Sequence, residues 1–147
     1  MLKEKRVVIV AARFNNFIVR ELIEGAKETL IEGGIENIAV ERVPGSFEIP
    51  LLCKILLTKE PVVDAIIALG VIIRGETNHF DILSHDVSGA LLQLSLQFSK
   101  PIGWGIVTAD NTEQALARAG IKMGNKGCEA AHAVLEMLKL TAVLNLS

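Results

Sequence analysis

Hydrophobic positions along the chain change period repeatedly, from short unbroken apolar runs to helical spacing and back. Val7 to Ala12 is a continuous valine-rich run, the pattern of a strand buried on both faces of a parallel sheet. Beyond Arg13, Phe14, Asn15 and Asn16, the residues Leu22, Ile23, Ala26 and Leu30 recur at helical spacing, and Gly33 with Gly34 supplies a stop. A second strand is predicted over Ile38 to Val43. Pro44 and Gly45 break it ahead of a short helix that begins near Pro50 and carries Leu51, Leu52, Ile55 and Leu56. Asp64 to Leu69 predicts a third strand. Helical spacing returns at Val87, Leu91, Leu94 and Phe98, with Pro101 just beyond, and a fourth strand runs from Ile102 to Thr108. Asp110 followed by Glu113 reads as a capping pair opening a helix through Arg118, which Gly120 ends. Gly124, Asn125 and Gly127 make another turn, and Ala131, Val134, Leu135 and Leu138 mark one face of a last helix.

Strands that alternate regularly with helices imply a parallel sheet covered on both faces and joined by right-handed crossovers. The expected architecture is therefore a flavodoxin-like three-layer α/β/α sandwich with a four-stranded parallel sheet. The 147 residues match the usual size of one domain, and no repeat, linker or low-complexity tract divides residues 1–147. Half of the residues are hydrophobic, enough for a chain of this length to bury roughly 70% of its unfolded surface.

Charge and cysteine content remove several function classes. A net charge of −2, the absence of a basic run and an aromatic content of 4% leave no electrostatic footprint for nucleic acid. Cys53 and Cys128 form neither a CxxC pair nor a metal-ligand cluster, so reduced thiols packed in a cytosolic protein are the simplest reading. The start MLKEKRVVIV reaches a strand and then Arg13 too early for a secretory segment, and no apolar run approaches the ~18 residues of a spanning helix. The expectation is a soluble cytoplasmic protein with no membrane or nucleic-acid partner.

In a parallel sheet all four strands end at one edge, so the polar or aromatic clusters that follow them converge there. These are Phe14 and Asn15, then Ser46 and Glu48, then Arg74 to His79, then Asp110 and its turn. The densest chemistry is in GVIIRGETNHFD, Gly70 to Asp81, read as a turn after the third strand. Gly75 permits close backbone approach, Thr77 and main-chain N–H groups suit a phosphate, and His79 exchanges protons near neutral pH. A connection whose histidine merely caps or packs is the alternative. Trp104 lies between Gly103 and Gly105 inside the fourth strand, where flanking glycines predict an accessible ring; a core residue relieved by small neighbours is the competing reading. Arg118 and Lys126 are, on local grounds, solvated helix-end cations. These residues by themselves lead to a small-molecule site for an anionic ligand.

The segments RFN at Arg13 to Asn15, PGSFEIP at Pro44 to Pro50, ALGVIIRGETNHFD at Ala68 to Asp81 and RAGIKMGNKG at Arg118 to Gly127 resemble the signature segments of the 6,7-dimethyl-8-ribityllumazine synthase family. Their order and spacing follow the family pattern from about Val7 to Leu140. The resemblance implies the penultimate step of riboflavin biosynthesis, condensation of 5-amino-6-(D-ribitylamino)pyrimidine-2,4-dione with 3,4-dihydroxy-2-butanone 4-phosphate. It implies no metal and no organic cofactor.

By the same resemblance, Phe14 stacks on the heterocycle with Asn15 beside it, which suits a flat electron-rich ring. Ser46 and Glu48 hold the ribityl hydroxyls, and Phe47 between them counts as substrate-binding. Val71 adjoins Ile72 and Ile73, which present backbone groups to the pyrimidine edge. Gly75, Glu76 and Thr77 form the phosphate turn, Arg118 pairs with the same phosphate, and His79 transfers protons. Trp104 stands where the family commonly has phenylalanine. Family sites lie between subunits, so Trp104, Arg118 and Lys126 are offered to a neighbour's pocket. The implied partners are the two small-molecule substrates, further copies of the chain in a pentamer or an icosahedral shell, and riboflavin synthase. His85 and His132 match no role and read as ordinary helix residues, while the apolar tail Thr141 to Ser147 extends past the usual last helix.

Three other readings compete: a shell-forming or flavin-storage protein with little turnover, an archaeal-type riboflavin synthase that needs no phosphate site, and a plain flavodoxin-like binding module. The retained His79, Arg118 and phosphate turn favour the synthase over the first. Arg13, Phe14 and Asn15 do not form the hydroxyl- and glycine-rich loop that the last would need.

Overall fold

A computed structural model describes residues 2–120 and 124–146. Ile121, Lys122 and Met123 of the RAGIKMGNKG segment, and Ser147 at the end of the apolar tail, lie outside the described residues. The chain runs β1 (Arg6–Ala12), α1 (Asn16–Glu32), β2 (Asn37–Val43), α2 (Ile49–Thr58), β3 (Ala65–Ile73), α3 (Phe80–Phe98), β4 (Ile102–Ala109), α4 (Thr112–Arg118) and α5 (Lys126–Leu146). Short 3-10 turns at Ser46–Glu48 and Arg74–Glu76 precede α2 and α3.

The four strands form one all-parallel sheet in the order β2-β1-β3-β4. This is the flavodoxin order without its fifth strand, and the helices on the two faces make the three-layer α/β/α sandwich that the alternation implies. Side chains alternate between two cores. Val7, Ile9 and Ala11 of β1, with Ile67 and Leu69 of β3, pack under α1, α4 and α5. Val8 and Val10, with Ile66 and Ala68, pack under α2 and α3. Every residue of β3 is buried, which is why its sequence reads as an unbroken apolar run.

Two local expectations are corrected. β3 continues through Gly70, Val71, Ile72 and Ile73 rather than ending at Leu69, because pairing with β4 holds it as far as Ile73 opposite Ala109. Gly70 is therefore a strand glycine, and a Cβ there would stand 2.5 Å from the Ser46 hydroxyl oxygen. α2 buries Ile49, Cys53 and Leu57, while Leu51 and Ile55 are exposed. The cap of α4 is Asn111, whose Oδ1 accepts from the Gln114 N–H at 2.9 Å, while Gln114 Oε1 accepts from the Asp110 N–H at 2.8 Å. The capping residues thus lie one position later than Asp110 and Glu113, and Gln114 reaches back to the residue before the cap rather than to the cap itself. α5 itself runs through Leu146, so the tail is helical as far as that residue.

Gly103 and Gly105 serve the face opposite Trp104. A Cβ on Gly103 would come 2.7 Å from the Ala130 carbonyl of α5, and one on Gly105 would collide with Leu69. The Trp104 ring is 46% exposed because it projects from edge strand β4, on the α3 side, where its Nε1 donates to Ser88 Oγ at 3.0 Å.

Candidate functional site

β1 and β3 are neighbours at the centre of the sheet, and the connections that follow them leave toward opposite faces. At such a switch point a crevice opens beyond the strand ends. Here it is a cleft of about 160 Å³ lined by Phe14, Gly45, Ser46, Phe47, Val71, Ile72, Ile73, Glu76, Thr77 and Leu83. Larger hollows occur elsewhere, about 360 Å³ beside Pro101 and Met137 and about 440 Å³ beside Leu2 and Lys139. The smaller cleft is the candidate site, because it alone of these three lies at the carboxyl ends of the central strands.

The turn after β1 is fixed from three directions. Arg13 and Phe14 donate their N–H groups to the carbonyls of Val43 and Pro44, at 2.7 and 3.1 Å. Asn15 adopts a left-handed conformation (φ 62°, ψ 37°) and caps α1, a conformation asparagine enters more readily than most residues. Its Nδ2 donates to the Val71 carbonyl at 3.2 Å. Arg42 of β2 adds a clamp, donating to the Ala11 and Ala12 carbonyls at 3.3 and 3.0 Å and to Asn16 Oδ1 at 2.6 Å. These bonds hold Phe14 with its ring 58% exposed over the cleft, an aromatic surface with no covering side of its own. Arg42 was not among the residues singled out from sequence; a charge on a half-buried strand beside a Val-Pro-Gly turn was its only signal.

The second wall follows β2. Ser46 is buried and Phe47 is 70% exposed, both on the 3-10 turn. Glu48 stands beside the cleft rather than in its lining, with one carboxylate oxygen accepting from the Gly45 N–H at 2.9 Å. This fixes the carboxylate and leaves its second oxygen for another donor.

The floor and third wall come from β3 and its continuation. Val71, Ile72 and Ile73 are buried strand residues, followed at once by the exposed 3-10 turn that holds Gly75 and Glu76. Gly75 has neither a positive φ nor a neighbour within 4 Å of a Cβ position, so this chain's own packing leaves open space above it. Thr77 Oγ1 accepts from the His79 N–H at 3.1 Å, and His79 is exposed at the start of α3. Arg74 pairs with Asp110 at 3.1 Å and Asp81 at 3.5 Å, and both, Asp110 first, raise the pKa of its guanidinium.

Trp104, Arg118 and Lys126 are not brought to this cleft. Arg118 donates to the Thr108 carbonyl at the end of β4. Lys126 Nζ lies 4.4 Å from the Trp104 ring centre in a cation–π contact. All three lie on or beside β4, an edge strand separated from β1 by β3. The chain thus presents two separate features, an aromatic cleft at the β1–β3 switch point and a cationic, aromatic outer edge.

The fold and the cleft define a doubly wound α/β protein with a crevice at the carboxyl edge of its sheet. The sequence model of the 6,7-dimethyl-8-ribityllumazine synthase family matches residues 4–142, and the chain belongs to that family. The 6,7-dimethyl-8-ribityllumazine synthase of Desulfovibrio desulfuricans is 47% identical over 140 residues, covering 94% of this chain and 89% of that protein. That of Aquifex aeolicus is 50% identical over 137 residues, with 92% and 88% covered. That of Limosilactobacillus reuteri is 42% identical over 144 residues, with 98% and 94% covered.

Proposed function

We propose that this protein is a transferase that condenses 5-amino-6-(D-ribitylamino)pyrimidine-2,4-dione with 3,4-dihydroxy-2-butanone 4-phosphate, giving 6,7-dimethyl-8-ribityllumazine with release of phosphate and water. The observation that carries the reading is the convergence in one cleft of Phe14, Ser46, Phe47, Val71, Ile72, Ile73, Glu76 and Thr77, the residues the family pattern gives to two dissimilar substrates.

The pyrimidine ring stacks on Phe14 and meets the main-chain groups of Val71, Ile72 and Ile73. Ser46 and the free oxygen of Glu48 take ribityl hydroxyls, with Phe47 covering the chain. A carboxylate accepting from hydroxyls gives charge-assisted bonds that penalise substrates lacking them. The phosphate of the second substrate rests on Gly75, Glu76 and Thr77, where the space above Gly75 admits an oxyanion against backbone N–H groups.

The amine on the ring then attacks the ketone carbonyl, and loss of water leaves an imine. Removal of a proton from the adjacent carbon drives cleavage of the carbon–oxygen bond to phosphate, which departs with the electron pair. The ribitylamino nitrogen attacks the carbonyl formed on tautomerisation, and loss of a further water closes the ring. His79, exposed at the start of α3 and two residues beyond Thr77 of the cleft lining, moves these protons. Holding two intrinsically reactive partners together supplies much of the acceleration.

Trp104, Arg118 and Lys126 complete the site from an adjacent copy of the chain, with Arg118 pairing bidentately with phosphate. Their position on the outer edge, away from the cleft of their own chain, supports this reading. The working unit is then a homo-oligomer, a pentamer that can build an icosahedral shell and associate with riboflavin synthase. A cytoplasmic setting suits the two free thiols, Cys53 and Cys128.

The test is to mix both substrates with the purified protein and follow lumazine absorbance together with phosphate release. Product formation is expected. Failure to form lumazine by folded, oligomeric protein overturns the proposal.

A further inference from the structure

Arg74 is the one cation of the Gly70–Asp81 segment, and no step above uses it. It opens the 3-10 turn that carries Gly75 and Glu76, and its side chain reaches three separate anchors. Nε donates to Asp110 Oδ1 at 3.1 Å. Nη1 lies 3.5 Å from Asp81 Oδ1 in the first turn of α3. The guanidinium carbon stands 4.3 Å from the centre of the Phe80 ring.

We propose that Arg74 is a positioning residue for the phosphate substrate, setting the place of the Gly75–Thr77 turn by bracing it against the start of α4. The inference deepens the proposed function and rests on its assignment of the phosphate to that turn.

Between the end of β3 and the start of α3, the described side-chain bonds that leave this segment for another strand connection run through Arg74. The other bond here, His79 N–H to Thr77 Oγ1, stays within the segment. Asp110 is a firm point of attachment, because its own N–H donates to Gln114 Oε1 at 2.8 Å inside the cap of α4. A three-residue turn held at one corner by a strand and at the other by a short connection has little internal rigidity; a lateral brace fixes its pitch.

Direct phosphate binding by Arg74 is the competing role, and charge argues against it. Two carboxylates flank one guanidinium, so the trio carries a net negative charge that disfavours a further anion beside it. The side chains are also exposed, 54% for Arg74 and 64% for Asp110, and exposed pairs add little to global stability. Loss of the brace is therefore a change in local geometry, visible in function before it is visible in melting.

Arg74→Ala, Asp110→Ala and the double variant separate these roles, with Arg74→Lys as the conservative replacement. For each single alanine variant the KM of the butanone phosphate is expected to rise about tenfold, a loss in keeping with misplacement of a binding group. The KM of the pyrimidine and the unfolding midpoint stay as in the parent. The double variant is expected to match the single ones, because both remove the same link, and Arg74→Lys recovers part of the loss. Binding of inorganic phosphate by calorimetry, run in parallel, follows the same order without requiring turnover. A parent protein that makes no lumazine yet binds phosphate in this order leaves the brace standing and sinks the synthase reading. An unchanged phosphate affinity and KM in Arg74→Ala overturns the brace. So does an equal rise for both substrates with a lowered midpoint, or a double variant restored to parental behaviour, which assigns the effect to charge alone.

Discussion

The side-chain amide of Asn15 donates to the main-chain carbonyl of Val71 at 3.2 Å, joining the turn that displays Phe14 to the strand that floors the cleft. Asn15 does this from a left-handed backbone, φ 62°, which a β-carbon-bearing residue other than Asn or Asp enters at a cost. Asn15→Ala loses the bond and pays for the conformation, so a destabilisation of about 2 kcal/mol is expected. Asn15→Gly keeps the conformation and loses only the bond. Urea unfolding separates the two, and both variants should bind the pyrimidine several-fold more weakly while the phosphate substrate is unaffected. Equal loss for both substrates contradicts the assignment of this turn to the ring alone.

Gly70 and Ser46 give a second test. With a Cβ 2.5 Å from its oxygen, the Ser46 hydroxyl must turn away in Gly70→Ala. The buried strand and the short side chain limit the relaxation, and overpacking of this kind costs about 1–3 kcal/mol. The expected result is a folded protein with a raised KM for the ribityl substrate. Ser46→Ala should reproduce the kinetic change without the loss of stability, and a normal KM in both variants removes Ser46 from the site.

Much of the fold was legible because its signals are local. Val7 to Ala12 and the repeat Ala131, Val134, Leu135 and Leu138 state their periods within a few residues, and the structure buries all of them. Gly70 was misread as the start of a turn, since a strand glycine that makes room for Ser46 looks the same in sequence as one that bends the chain. The inward face of α2 is not legible either, because the helix is apolar on several sides and period alone does not choose Ile49, Cys53 and Leu57 over Leu51 and Ile55. The family segments led to the cleft residues, whereas Arg42 and Asp110 were not legible as supports. Their partners are distant in sequence, and only the fold brings Arg42 to the end of β1 or Asp110 to Arg74.

The Cys53 thiol gives the protein a specific alkaline weakness. Burial pushes its pKa up to about 12, whereas a thiol in an unfolded chain ionises near ~8.5. Between those values the unfolded chain has released a proton that the folded chain retains. Stability from this group is thus complete below ~8.5 and declines as pH rises, until the folded thiol itself ionises. Cys53→Ala removes that decline while lowering stability at every pH through the small cavity it leaves. Urea midpoints collected from neutral to alkaline pH should therefore converge for the two proteins as pH rises; parallel profiles exclude the thiol as the cause.

Trp104 reports on the outer edge, because it is the only tryptophan in the sequence. Its indole is held by Ser88 and faced by Lys126, yet remains 46% exposed. If this edge completes a neighbouring cleft, the heterocycle that stacks on one chain's Phe14 also approaches Trp104 of the adjacent chain. Saturation with the pyrimidine substrate should then quench tryptophan emission in the oligomer, and dilution to dissociated chains should abolish the quenching. Trp104→Phe retains an aromatic face but loses the bond to Ser88 and weakens the contact with Lys126, since the larger indole is the better cation–π partner. A several-fold loss of pyrimidine affinity with unchanged light scattering is expected for that variant. Emission that ignores saturating ligand in the intact oligomer would place Trp104 outside the site, and the outer edge would then serve assembly alone.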